Sequence, residues 1–351
     1  MAAASSMSER EAAVYDRAIR LWGAEAQARL MAAKLLVVGL SGLTAELCKN
    51  LVLSGLSLTL HDDTAATAED LSANFFLSED DIGKPRAAAC LERVRELNPL
   101  VSVEVISGPL PAPADAGFWG KFTAVCTGGL GLEATLAAAA ACRAHGALFF
   151  AGSQHGLVCT FGSDLGASHA FKLTDARAQA GGVGTAFKEA EGAAVSSVAF
   201  PPFAEVAAAP LASAASMLSR RRTRDPSAVS NDAAPAWVAA AAVERALSSK
   251  GLDRPPADRA AFAAALRETM AAELASAPGL LDGDAVLSVS RAFGLGVSPV
   301  CAVAGGQWGQ EVIRAVTGRS PPLGNVFVFD ARRHPQGQFG WIPAAPASAS
   351  V

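Results

Sequence analysis

The sequence has six cysteines but no C-x-x-C pair among them, which argues against a four-cysteine zinc knuckle. Cys48, Cys90, Cys126, Cys142, Cys159 and Cys301 all fall in apolar segments, where a free cysteine serves as a small buried hydrophobe. Basic residues are not in excess. There are 29 Lys and Arg against 33 Asp and Glu, a formal net charge of −4, which argues against nucleic acid or an anionic membrane surface as a partner. No basic segment followed by an apolar run opens the sequence, so a secretory leader is not expected and a reducing intracellular compartment is. Two stretches, 144–163 and 292–310, are uncharged and about long enough to span a bilayer. Glycines, His155, Pro299 and glutamines interrupt them, so buried packing is expected instead. No internal repeat is visible.

What is present suffices for one large or two medium domains: 351 residues, 51% of them hydrophobic, although much of that fraction is alanine. Ser8-Glu-Arg-Glu11 has the form of a capping box that opens a helix. Tyr15, Ile19 and Trp22 then make one apolar stripe, with Arg17 and Arg20 on the opposite side and Gly23 as a cap. A second helix is predicted over 24–33. From there, apolar strands (34–38, 57–61, 101–106, 122–127, 147–151) alternate with helices (43–53, 85–97, 132–145). This alternation predicts an α/β, doubly wound, mostly parallel sheet covered on both faces, with ligands at the carboxyl ends of its strands.

After Gly152 the rhythm changes. Residues 156–161 and 168–173 read as hairpin strands and 179–194 as a Gly/Ala-rich mobile stretch. Helices follow over 236–249 and 257–276, preceded by a charged linker at 220–231. A last helix starts at Ser298-Pro299 and ends at Gly318, and 325–330 forms a closing strand. The expected organisation is a disordered stretch 1–7, a Rossmann-like part 8–175, an inserted helical region 176–295, a closing helix and strand 296–335, and a tail 336–351.

The stretch LLVVGLSGLTAE (35–46) nearly completes a G-x-G-x-x-G loop, but Ser41 and Thr44 replace its second and third glycines. Gly39 and Gly42 keep a strand-to-helix turn with free helix amides, and Asp62 ends the next strand, where dinucleotide sites place an acid. These residues alone fit a nucleotide pocket and a tight structural turn equally well.

Several blocks resemble the ubiquitin-like-protein-activating enzymes and their bacterial adenylating relatives. They are VYDRAIRLWG (14–23), KLLVVGLSGLTAELCKNLVLSGLSLTLHDD (34–63), IGKPRAAACLERVRELNP (82–99), FTAVCT (122–127), SPVCAVAGGQWGQEVIRAV (298–316) and PPLGNVFVFD (321–330). The matches are collinear over most of the chain. Within that family the chain is most similar to the smaller, non-catalytic subunits of heterodimeric activating enzymes for SUMO-like modifiers. The resemblance implies a Rossmann-like ThiF-type fold, a catalytic partner subunit in a heterodimer, a SUMO-like modifier as substrate, ATP and magnesium bound mainly by the partner, and a nuclear location. The basic cluster Arg220-Arg221-Arg222 adds little to the last point, since such a cluster is more often a solvated helix end.

The departures from the family pattern define the expected role. Active members carry an arginine in an N-x-x-R-Q run after the second strand, and DLSANFF (70–76) has none. Arg86 stands where they begin the next helix with a lysine, with Lys84 two residues before it, and Gly128-Gly129 follows Thr127 where they carry an aspartate for the metal-bound nucleotide. Adenylation needs cations against phosphate and an acid for magnesium, so the pocket at Gly39, Gly42 and Asp62 is expected to be vestigial. In the family, the arginine of the Y-[DN]-R run reaches into the partner's ATP site. By carry-over that residue is Arg17, acting as an arginine finger, while Arg20 is expected to be structural.

Between Gly156 and Ser298 the only cysteine is Cys159, expected in the core, so the thioester is expected on the partner. With the sequence ending soon after 330, a ubiquitin-like terminal domain is not expected. Residues 160–295 are expected to support the partner's cysteine domain. Gly305, Gly306 and Gly309 suggest close approach of another element, with a subunit interface slightly favoured over internal packing. Three alternatives stay open: an autonomous adenylating enzyme, the equivalent subunit for another modifier, and a nicotinamide-dependent oxidoreductase using His145 or His155.

Overall fold

Residues 34–38 (KLLVV) carry one polar side chain, at the solvent-exposed first position, and alternate between the two faces of a sheet. In the computed structural model they form β1, Lys34–Val38, with Leu35 and Val37 in one apolar core and Leu36 and Val38 in another. The structure describes residues 7–172, 195–218, 234–332 and 337–343, apart from 253, 276, 278, 279 and 281. The expected mobile stretch 179–194, the linker 220–231 and Arg220-Arg221-Arg222 lie outside the described residues, as do 1–6 and 344–351.

The chain runs α1 (Glu9–Val14), α2 (Asp16–Trp22), α3 (Ala24–Ala32), β1, α4 (Gly42–Leu53), β2 (Ser57–His61), α5 (Arg86–Glu96), β3 (Val103–Val105), α6 (Ala116–Trp119), β4 (Ala124–Gly128), α7 (Leu132–His145), β5 (Leu148–His155) and β6 (Val158–Asp164). It continues through β7 (His169–Lys172), β8 (Val195–Val198), α8 (Phe203–Ala208), α9 (Leu211–Leu218), α10 (Ala234–Ser249), α11 (Arg259–Glu273), α12 (Gly283–Arg291), α13 (Ser298–Thr317), β9 (Val326–Asp330) and β10 (Gln338–Gly340).

The main sheet has eight strands in the order β10-β9-β6-β5-β4-β1-β2-β3. From β3 to β5 every pairing is parallel, and β6, β9 and β10 extend it antiparallel. This is the doubly wound α/β fold expected from the alternation. Strand order reverses between β1 and β4, and the carboxyl ends of those two strands form the switch point where such sheets place ligands. Helices α4, α5 and α13 cover one face, and α7 covers the other beside β4 and β5. Helices α8, α10 and α12 continue that second layer over β5, β6 and β9, burying Val158, Val326 and Val328. Arg245 of α10 ties the layer together by donating to the carbonyls of Ala207 and Ala209 (2.9 and 2.7 Å).

Three local expectations need adjusting. The segments 156–161 and 168–173 are strands of antiparallel pairs, as expected, but of two different pairs in two sheets. Residues 158–164 pair with β5 and β9, and His169–Lys172 pairs with β8 in a separate two-stranded sheet. The helix expected to run from Ser8 to Gly23 breaks at Tyr15 (φ −95°, ψ 13°), because that ring turns inward and is buried, although the capping box at Ser8 and Glu11 forms as expected.

The third correction concerns α13. A Cβ on Gly305 would lie 2.6 Å from Glu46 Cβ and 2.9 Å from the Leu43 carbonyl, and one on Gly309 would lie 3.0 Å from Asn50 Cβ. Those two glycines therefore serve internal packing of α13 on α4, not a subunit interface. Gly306 faces open space. Gly305→Ala is expected to destabilise the fold by about 1–3 kcal/mol through overpacking against backbone. Gly306→Ala should stabilise it by about 1 kcal/mol through helix propensity. Urea unfolding of the two variants checks this, and equal effects would contradict it.

Candidate nucleotide site and opening helices

At the end of β1 the chain turns at Gly39 with φ +84°, a left-handed conformation that glycine adopts without strain. A Cβ there would lie 2.1 Å from the Gly128 carbonyl, so β1 and β4 approach as closely as backbone allows. Gly42 is needed for a different contact. Its absent Cβ would lie 2.5 Å from that of Ala73, in the segment folded over the loop.

In a working phosphate loop, the amides at the start of the following helix point at the ligand. Here the chain's own side chains take them. Leu40 N donates to Asp62 Oδ2 (2.6 Å), Ser41 N to Thr44 Oγ1 (2.8 Å), and Leu43 N to Gln154 Oε1 (2.8 Å). The Thr44 hydroxyl in turn donates to the Gly39 carbonyl (2.7 Å). Its methyl occupies the gap beside β4, 2.2 Å from where a Cβ on Gly128 would be. Asn74, fully buried, donates to the Leu40 carbonyl (2.9 Å) and accepts from Phe76 N (3.1 Å), which pins the covering segment down.

Asp62 is buried and three times engaged, accepting from Leu40 N, from Thr64 N (3.0 Å) and from Arg86 Nε (2.8 Å). Arg86 also reaches Asp70 Oδ1 at 3.1 Å. Burial alone would pull the Arg86 guanidinium down, but the charges of Asp62 and Asp70 outweigh it and hold it above its ordinary value. The cation at the start of α5 is therefore neutralised within the fold.

Counting from Asn74, the arginine position of the family's N-x-x-R-Q run holds Leu77, which is buried in the core. After β4 the chain offers Gly129, whose missing side chain faces open space. With the amides of Leu40, Ser41 and Leu43 taken, its acid paired and Gly129 where the family has an aspartate, this set of residues does not fit a magnesium-bound triphosphate.

A nucleophile is missing as well. All six thiols are buried. Burial pushes Cys48 and Cys126 well up, and Cys90 and Cys142 up to about 12. A hydrogen bond with Cys301, added to burial, raises Cys159 well above the ordinary thiol value. Thiolate chemistry needs the opposite shift, which only Cys301 has, lowered by its hydrogen bond with Cys159; that thiol is buried and donates to Gln154 Oε1 (3.2 Å), so it is spent inside the fold. The two histidines considered for redox chemistry are also held elsewhere. His145 bonds the Pro113 carbonyl (3.0 Å), while His155 stacks on Phe293 and contacts Glu244 (3.3 Å).

Arg17 and Arg20 part company on α2. Both are exposed, but Arg20 pairs with Asp16 (3.1 Å), whereas Arg17 has no hydrogen bond or ion pair among the described residues. The structure does not bring Arg17 to the Gly39–Asp62 loop by any contact. Gln154 and Asn74, which close that loop, have no distinctive pattern in sequence. Gln154 was visible only as an interruption of an apolar run.

The ThiF family model matches residues 15–341. The chain belongs to the ThiF family. Among ThiF relatives it is similar to proteins named SUMO-activating enzyme subunit 1. It is 33% identical over 343 residues to the one from Rattus norvegicus, covering 93% of each chain. It is 32% identical over 346 residues to that from Homo sapiens, covering 94% of this chain and 95% of the relative. It is 39% identical over 160 residues to that from Dictyostelium discoideum, covering 45% and 48% respectively.

Proposed function

We propose that this chain is the non-catalytic subunit of a heterodimeric SUMO-activating enzyme. It supports ATP-dependent adenylation and thioester activation of a SUMO-like modifier on a catalytic partner subunit. The observation that carries the reading is the loop after β1, whose amides and acid are consumed by Thr44, Gln154 and Arg86 in a chain otherwise collinear with SUMO-activating enzyme subunit 1. ATP and magnesium would then be held by the partner, the nucleotide supplying an AMP leaving group for acyl activation with release of pyrophosphate.

In that complex Arg17 acts across the interface. Its guanidinium is exposed and has no hydrogen bond or ion pair among the described residues, as a residue reserved for an external phosphate must be. The Gly39, Gly42 and Asp62 pocket persists as a structural turn. The helices over 203–291 form a layer that we assign to supporting the partner's cysteine domain, and the family resemblance supports nuclear residence.

Reconstitution tests this. Mixed with the catalytic subunit of a SUMO-activating enzyme, the chain should form a stable one-to-one complex that charges a SUMO-like modifier as a thioester. The thioester should survive mutation of all six cysteines of this chain to serine or alanine, provided the variant folds. Failure to assemble, or a thioester on this chain, would refute the proposal.

A further inference from the structure

Helix α2 has seven residues, too few to be stable alone. It can present Arg17 in a fixed direction only if other groups hold it. Two side chains do so, one at each end. Tyr15, at the start, is 3% exposed, and its hydroxyl accepts from Asn98 Nδ2 at 2.8 Å. The same amide donates to the Val52 carbonyl at 2.8 Å, in the last turn of α4. The ring lies against Gly55, where a Cβ would come within 3.0 Å of the phenol. At the other end, Trp22 Nε1 donates to Gln27 Oε1 (3.1 Å), and Gln27 Nε2 donates to the Ser54 carbonyl (3.0 Å).

Both anchors therefore terminate on the same few carbonyls, at the C-terminal end of α4. Carbonyls at a helix end lack their i+4 amide partners and can accept from side chains; that of Val52 takes Asn98 in addition to the Gly55 amide (3.0 Å). Between the two anchors the helix turns its other side outward, and Arg17 lies on that side. The break between α1 and α2 follows from the same arrangement, since only by leaving the helix at Tyr15 can the chain put that ring under Asn98.

We propose that the Tyr15–Asn98 and Trp22–Gln27 pairs are positioning pairs that fix the direction of the Arg17 guanidinium toward the partner's phosphates; this rests on the cross-subunit reading of Arg17. A loosened α2 keeps the charge but loses its aim, and a misplacement of about 1 Å can cost up to about a hundredfold in rate.

The test is a double-mutant cycle in the assembled heterodimer, reading ATP–pyrophosphate exchange. Tyr15→Phe keeps the ring and removes the acceptor. It should lower kcat roughly tenfold to a hundredfold with the KM for ATP unchanged, and it should have no further effect in an Arg17→Ala background. Gln27→Leu, which severs the other anchor, should show the same pattern should Tyr15→Phe fold poorly. Equal losses in both backgrounds would mark these residues as merely structural and overturn the proposal. A slow Arg17→Ala beside fully active Tyr15→Phe and Gln27→Leu would remove the positioning role alone. Full activity of Arg17→Ala would remove the cross-subunit reading and the positioning role with it.

Discussion

Replacing Arg17 by alanine is expected to slow adenylation by the proposed heterodimer on the order of 10²–10³-fold, the loss typical of removing one preorganised donor from a developing charge. Subunit affinity and thermal stability stay unchanged, because Arg17 is exposed and has no hydrogen bond or ion pair among the described residues of its own chain. Arg17→Lys recovers only part of the rate, since an ammonium supplies the charge but not the planar fork of donors. Arg20→Ala, which removes an exposed pair with Asp16, has little effect on either quantity. Pyrophosphate exchange and analytical ultracentrifugation of the four complexes separate these outcomes. Loss of assembly in Arg17→Ala, or exchange at the wild-type rate, would contradict the assignment.

The second large effect falls on stability. Asp62→Ala removes the acceptor for two backbone amides and leaves the Arg86 guanidinium, 18% exposed, with only Asp70 beside it. Breaking a buried pair from one side costs about 3–5 kcal/mol, and urea unfolding of the isolated chain should show a loss of that order. Asp62→Asn keeps one acceptor oxygen but sets an NH2 donor against one of the two amides, which bind different carboxylate oxygens, so its cost is smaller than that of alanine but not negligible. If Asp62 still served as a ribose ligand, the alanine variant would instead lower nucleotide affinity and leave the unfolding midpoint nearly in place. That result would return the pocket to function.

The parallel half of the sheet was legible in the sequence because its strands are short apolar runs ended by polar or glycine residues. Residues 34–38, 57–61 and 132–145 form elements with those bounds. Helices α8, α9 and α12 were not visible, since each is only six to nine residues long and offers about two turns of pattern. The break at Tyr15 could not be read from the spacing of Tyr15, Ile19 and Trp22. The stripe fits one helix equally well until Asn98, distant in sequence, supplies a donor for the phenol.

At the candidate site the two missing glycines were plain, but their consequence was not. Thr44 replaces a glycine with a residue whose hydroxyl closes the loop on itself. Gln154, four strands of sequence away, takes the Leu43 amide. Neither partner is apparent from a motif, because a satisfied amide and an available one are spelled alike. The glycines of α13 carried the same ambiguity. Gly305, Gly306 and Gly309 read as a single patch in sequence, yet their neighbours in α4 separate two packing glycines from one that faces outward.

The central claim is that this polypeptide contributes to adenylation only through a neighbour's active site. ATP–pyrophosphate exchange by the purified chain alone, with saturating modifier and magnesium, tests it most directly. Exchange should stay at background and appear when the catalytic subunit is added. Modifier-dependent exchange above background by the chain alone would contradict the account.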